Sequence, residues 1–263
     1  MRVYTFNLPV GDFFLEINTQ AERLHDRLVD WYQHAHEPSD QKLGCINIVV
    51  TADDYSAYPM YPETKWEGNR CLFSARGCAG WIDAADPITL RVNSNLNLHY
   101  VEHFLRVVTA VRVFSLGGLL VHAAGIARNE FGFLFSGHSG AGKTTVCRLS
   151  EEFTVLNDDL VILRPTESGW QISATPFTNP TQVRPGVGTV KLHQILHLKQ
   201  AKRHELKEVP NAKAVADLIT HVPVISQSPK LISMLVNRCA QVTQRTEVSE
   251  LHFLPDRDFW KLI

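Results

Sequence analysis

Gly137-His138-Ser139-Gly140-Ala141-Gly142-Lys143-Thr144 has a glycine, four variable residues, then Gly-Lys-Thr, the spacing of a phosphate-binding loop. Glycines let the backbone curl until several N–H groups face phosphate oxygens. Lys143 then neutralises charge on β- and γ-phosphates, and the Thr144 hydroxyl ligates a magnesium ion. The expected nucleotide cradle is Gly137, His138, Ser139, Gly140, Ala141, Gly142, Lys143, Thr144 and Thr145, and the expected ligands are ATP and Mg2+. The bland alternative is a glycine-rich turn at a helix start.

Phosphoryl transfer also needs a group that orients or deprotonates the acceptor. Asp158 and Asp159 follow Lys143 by one helix and one strand. A strand after a loop–helix unit often returns beside the first strand, so its end would reach the metal on Thr144. Neighbouring strand residues point to opposite faces, so one carboxylate would face the metal and the other a different part of the site. The competing reading is an Asn157-Asp158-Asp159 turn facing solvent. His122 lies in an apolar run upstream and by itself reads as a satisfied core residue.

The elements that must position these residues follow from periodicity. Phe131–Ser136 reads as a buried strand into the loop, and Val146, Cys147 and Leu149 as the helix after it. Upstream, Val101, Phe104, Leu105, Val108 and Val111 form a helical stripe over 99–116, closed by Gly117-Gly118. Leu119–Ala127 reads as one strand, with a tight turn at Arg128-Asn129-Glu130. Thr154-Val155-Leu156 is a short strand ending in Asn157-Asp158-Asp159, and Leu160–Leu163 continues it, with Trp170–Ser173 as hairpin partner. Later come a strand at Thr189–Leu198, helices at Ala212–Thr220 and Ser228–Cys239, a strand at Glu247–Leu254, and a helical turn at Phe259-Trp260.

The first part reads as a separate small α/β layer. Met1–Phe6 alternates like a strand and lacks the apolar block of a signal peptide. Thr19-Gln20-Ala21-Glu22 is a capping box before Leu24, Leu28, Trp31 and Tyr32, with Pro38 beyond that helix. Cys45–Val50, Arg70–Ala75 and Ile88–Val92 read as strands, and 53–70 as an irregular loop.

With 44% hydrophobic and 20% charged residues and a formal net charge of −1, the 263-residue chain reads as an ordinary globular protein. Nothing argues for nucleic-acid binding, and no apolar run approaches the ~20 residues that span a bilayer. The five cysteines are scattered and odd in number, so buried thiols in a reducing cytoplasm are expected. His34/His36 and His193/His197 have no partners at metal-ligand spacing and read as surface or packing residues.

Val121-His122-Ala123-Ala124-Gly125, then Gly137 to Thr144, then Asn157-Asp158-Asp159 resembles HPr kinase/phosphorylase in order and spacing. It is also similar to the nucleotide site of ATP-dependent phosphoenolpyruvate carboxykinase. The resemblance covers about residues 115–165 and is strongest to short HPr-kinase-like proteins, some found with peptide-modification systems. It implies an α/β fold: a PEP-carboxykinase/HPr-kinase-like P-loop core with a mixed sheet in 96–263, plus a small N-terminal α/β layer in 1–95. It further implies Asp158 as base toward an acceptor hydroxyl and Asp159 with Thr144 on the metal. Lys143 would hold the phosphates, and His122 would support the Asp158 carboxylate or a phosphoryl oxygen. The bifunctional kinases carry a Glu-Val-Arg-Gly-type segment; the nearest run here is Gln182-Val183-Arg184-Pro185-Gly186-Val187-Gly188. A neutral Gln182 is a poor magnesium ligand, which argues against phosphorolysis and against HPr as substrate.

The expected function is a Mg2+- and ATP-dependent phosphotransferase acting on a Ser/Thr hydroxyl of a peptide, carrier protein or small molecule. The competing class is a nucleotide-binding regulatory or scaffold protein with little turnover. Residues 1–95 have three candidate roles: recognising the acceptor, mediating homo-oligomer formation, or covering one face of the sheet.

Overall fold

The structure is a computed structural model that describes residues 2–35, 40–83, 87–94, 97–178 and 183–263. Met1, His36, Pro38 and Gln182, each weighed above, lie outside the described residues. Alternation builds the first sheet. In β1 (Tyr4–Val10) and β2 (Phe13–Thr19), Leu8, Val10, Phe13, Leu15 and Ile17 turn inward while Asn7, Glu16 and Asn18 turn outward. Helix α1 (Glu22–Trp31) crosses to β3 (Lys42–Val50), which makes β2 and β3 parallel. β4 (Glu63–Glu67), β5 (Arg70–Ala75), β6 (Cys78–Ile82) and β7 (Ile88–Val92) complete a mixed seven-stranded sheet in the order β1-β2-β3-β7-β6-β5-β4.

Two expectations in this unit need correction. The 53–70 segment contains β4, an edge strand whose Glu63, Lys65 and Glu67 face solvent, so its pattern carries little apolar signal. Its Trp66 Nε1 donates to the Val224 carbonyl at 2.9 Å. The capping box does not form, because Thr19 ends β2. Ala21 is the cap residue, and Thr19 Oγ1 accepts the Ala21 N–H at 3.2 Å.

Helix α2 (Leu98–Ser115), capped by Asn97, lies between the two sheets. Its Val101, Phe104, Leu105 and Val108 share one core with Phe73 and Leu90 of the first sheet and Leu120 and Ile162 of the second. The second sheet is mixed and nine-stranded, running β11-β9-β10-β14-β13-β12-β8, with β16 on β14 and β15 on β16. Its members are β8 (Leu119–His122), β9 (Ala124–Arg128), β10 (Phe131–Ser136), β11 (Thr154–Asn157), β12 (Leu160–Thr166), β13 (Gly169–Ser173), β14 (Thr189–Gln200), β15 (Glu205–Glu208) and β16 (Glu247–Phe253). Helix α3 (Lys143–Leu149) follows the loop, and α4 (Asn211–Thr220) pairs with α5 (Ile232–Arg245). Each of the two sheets is mixed, so the architecture is α/β. No helix among the described residues is long and apolar enough to cross a membrane.

Two apolar runs that read as single strands are each broken. Leu119–Ala127 splits at Ala123, where the Ala123 N–H bonds the Val121 carbonyl at 3.0 Å in a three-residue turn around His122. β8 then pairs with β12, whereas β9 pairs with β10 and β11. The second run splits at Asp158-Asp159. Asn157 Oδ1 accepts the N–H groups of Asp159 at 2.7 Å and Leu160 at 2.9 Å, turning the chain out of β11 and into β12. The carboxylates therefore sit in a turn, not on alternate faces of a strand. β11 lies beside β9 and not beside β10, one strand further from the loop than expected.

Candidate functional site

The loop is built by conformation and by close packing. Gly140 and Gly142 adopt φ of +80° and +113°, backbone that side-chain-bearing residues avoid. A Cβ on Gly142 would meet Phe253 Cζ at 2.6 Å. Gln200 Nε2 donates to the Gly140 carbonyl at 2.8 Å. At the loop's start, the Gly137 N–H donates to His221 Nε2 at 3.1 Å, and the His221 carbonyl takes the His122 N–H at 2.6 Å. One residue at the end of α4 thus ties the loop to the turn that carries His122.

Lys143 is 9% exposed and folds over its own loop, donating to the Gly137 carbonyl at 2.8 Å and the His138 carbonyl at 3.4 Å. Burial pulls its ammonium below the usual lysine range, and the Asp159 and Asp158 carboxylates act in the opposite direction. Asp158 is 3% exposed. Its Oδ2 accepts the Val183 N–H at 3.2 Å, and its carboxylate shares a hydrogen bond with the Thr144 side chain. Burial nevertheless raises Asp158 above the usual carboxylate range, the two hydrogen bonds opposing it.

Asp159 has other partners. Its Oδ1 lies 2.8 Å from His122 Nε2, and its Oδ2 accepts from Arg106 Nη1 at 3.2 Å. The expected pairings are thus exchanged: Asp158 is the carboxylate bonded to Thr144, and His122 meets Asp159. The reason is the Asn157 turn, which carries the two carboxylates in different directions. His122 is no satisfied core residue, because 49% of its side chain is exposed.

His122, Ser139, Gly140, Gly142, Lys143, Thr144, Thr145, Asp158, Asp159 and Gln200 line one cavity of about 310 Å³. Of the remaining expected cradle residues, Gly137 faces His221, His138 Nδ1 contacts the Ser139 carbonyl at 2.6 Å, and Ala141 is buried under the loop. Larger cavities lie at 147–155 with 183–186 and on the outer face of the first sheet, but neither gathers comparable chemistry.

The donors at Thr144 and Asp158 are hard oxygens, which suits magnesium. Among the described residues no three His, Cys, Asp or Glu side chains form a metal cage. A magnesium ion here would be completed by phosphate oxygens and water, its usual habit at nucleotide sites.

Residues 87–250, more than half of the chain, match the family described as SynChlorMet cassette protein ScmC. The chain belongs to that family. The match overturns the expected kinship with HPr kinase/phosphorylase, whose likeness rested on about fifty residues around the loop. Comparison with curated proteins gives no match. The ScmC match spans α2, the loop, the Asp158-Asp159 turn and most of β16, and it leaves the first six strands and α1 outside.

Sequence reasoning missed Glu102, Arg106, Gln200 and His221. For the first two a signal existed: an acid and a base four residues apart on a helix that is otherwise largely apolar. His197, read as a surface or packing residue, is buried, with Nδ1 2.6 Å from Ser136 Oγ beneath the loop. His193 packs on the Phe131 and Phe133 rings at 5.0 and 5.4 Å. The five thiols form no disulfide, and burial pushes Cys71 and Cys78 up to about 12.

Proposed function

We propose that this chain is a Mg2+-dependent phosphotransferase that moves the γ-phosphoryl of ATP to a hydroxyl on a peptide, small protein or small molecule. The observation that supports it best is the convergence of Lys143, the Thr144–Asp158 pair and the His122–Asp159 pair on one cavity. A passive nucleotide binder has no use for a second carboxylate with a half-exposed imidazole attached.

In this reading the phosphate-binding loop and Lys143 grip the β- and γ-phosphates. Lys143 exchanges its two loop carbonyls for phosphate oxygens. Thr144 and Asp158 would hold magnesium, which would supply positive charge to the phosphates. On the acceptor side, Asp159 orients His122 through Nε2, which leaves Nδ1 as the nitrogen that takes a proton. The acceptor oxygen bonds to the γ-phosphorus, the bond to the β-phosphate oxygen breaks, the hydroxyl proton passes to His122 Nδ1, and ADP departs.

The test is incubation with γ-labelled ATP, magnesium and a set of serine- and threonine-containing peptides. Label transfer that disappears in Lys143→Ala supports the reading. Tight nucleotide binding with no transfer to any hydroxyl would replace it with a regulatory role.

A further inference from the structure

Helix α2 is buried along most of its length, and among its apolar residues it holds Glu102 with a side chain 3% exposed and Arg106 with one 13% exposed. Buried ion pairs gain little stability over apolar residues of the same shape, because desolvation offsets their attraction. The pair therefore calls for an explanation other than holding the fold together. Its geometry supplies one.

Arg106 uses its fork in two directions: Nη1 donates to Asp159 Oδ2 at 3.2 Å, and Nη2 donates to Glu102 Oε1 at 2.6 Å and the Thr178 carbonyl at 3.2 Å. The guanidinium also lies over the Phe177 ring, 5.7 Å from its centroid. Glu102 is aimed in turn by residues of α1 and its end. Trp31 Nε1 donates to Glu102 Oε2 at 2.8 Å, and the Tyr32 hydroxyl reaches the same oxygen at 3.4 Å. An unbroken polar chain runs from Trp31 through Glu102, Arg106 and Asp159 to His122.

We propose that Arg106 is a positioning residue that fixes Asp159 against His122, and that Trp31 and Tyr32 of the amino-terminal unit complete the site by aiming Glu102 at Arg106. Residues outside the ScmC match thereby contribute to the chemistry. The proposal rests on the phosphotransferase reading for its kinetic consequence, but its geometric content stands apart from turnover.

The experiment uses the full chain and the variants Arg106→Met, Arg106→Lys and Trp31→Phe. Trp31→Phe keeps an aromatic ring and removes the donor; Arg106→Lys keeps the charge and loses the fork. Two readouts are taken: the ¹⁵N signals of the His122 ring, assigned with His122→Gln, and the kinetics of label transfer from γ-labelled ATP to the peptide set. In Arg106→Met the His122 signals should move and kcat should fall about 10- to 100-fold, the usual cost of losing such a supporting contact. Mg-ATP affinity should stay within about twofold of the parent, which a general loss of structure would not allow. Arg106→Lys should recover part of kcat, and Trp31→Phe should move His122 in the same direction by less. If Arg106→Met does not fold, the other two variants decide. Unmoved His122 signals in Trp31→Phe and Arg106→Lys would overturn the proposal. So would kcat and nucleotide affinity falling in proportion. A parent protein that transfers no label refutes the phosphotransferase reading, and the His122 signals still judge the positioning.

Discussion

Gly142→Ala tests whether the loop's shape is set by the backbone and by Phe253 together. Gly142 sits at φ +113°, and a β-carbon there would lie 2.6 Å from Phe253 Cζ and 3.4 Å from Cε1. A side-chain-bearing residue held in such a backbone region costs about 1–3 kcal/mol. Phe253 is 3% exposed and packs against Phe259 with centroids 5.9 Å apart, so its ring cannot simply withdraw. Overpacking of this kind adds about 1–3 kcal/mol. The sum, about 2–6 kcal/mol, should appear in urea unfolding as a lower midpoint with unchanged slope. The two contributions separate in a double-mutant cycle. Phe253→Leu placed in the Gly142→Ala background should return the steric part, about 1–3 kcal/mol, and leave the backbone part. A Gly142→Ala protein within about 0.5 kcal/mol of the parent, the range of an ordinary surface change, would refute the reasoning. A cycle with no coupling would remove Phe253 from it.

Thr144→Val keeps the shape of the side chain and deletes the oxygen bonded to Asp158. By calorimetry, ATP affinity in magnesium should fall about 10- to 100-fold while affinity in EDTA is unchanged. Equal losses in both would show that Thr144 does not act through the metal. Beneath the loop, burial holds the His197 imidazole below the ordinary histidine value of 6.5. The unfolded chain therefore binds this proton more readily than the folded one. The contribution is complete above about pH 6.5 and is lost as pH falls through the lower folded value. Urea midpoints should drop on acidification in the parent and drop less in His197→Asn, which keeps a polar partner for Ser136 Oγ. A parent profile no steeper than the variant's would contradict this.

The parts of the site that were legible in the sequence are those whose demands are local. A phosphate loop needs glycines, a lysine and a hydroxyl within about eight consecutive residues. Phe131–Ser136 and Lys143–Leu149 form the strand and helix that flank it. Helix α2 and strand β7 were likewise readable from period alone, because apolar residues recur at helical spacing along α2 and at alternate positions in β7. The edge strand β4 was not, since an edge with one wet face and charged residues presents no such stripe.

By itself, then, the sequence determined an α/β chain with a glycine loop, an acidic pair and an upstream histidine. Only the tertiary structure decided which carboxylate meets which partner. Apolar runs look continuous whether or not neighbouring residues pair with the same strand, so the break at Ala123 left little mark in hydropathy, and the polar Asn157-Asp158-Asp159 stretch fitted a strand end and a turn alike. Those breaks turn Asp158 toward Thr144 and Asp159 toward His122. The spacing of Glu102 and Arg106 was a local signal, but the links that join the pair to Trp31 and to Asp159 were not. Trp31 lies 71 residues from Glu102 and Asp159 lies 53 from Arg106, and no local pattern records a contact made across folded layers.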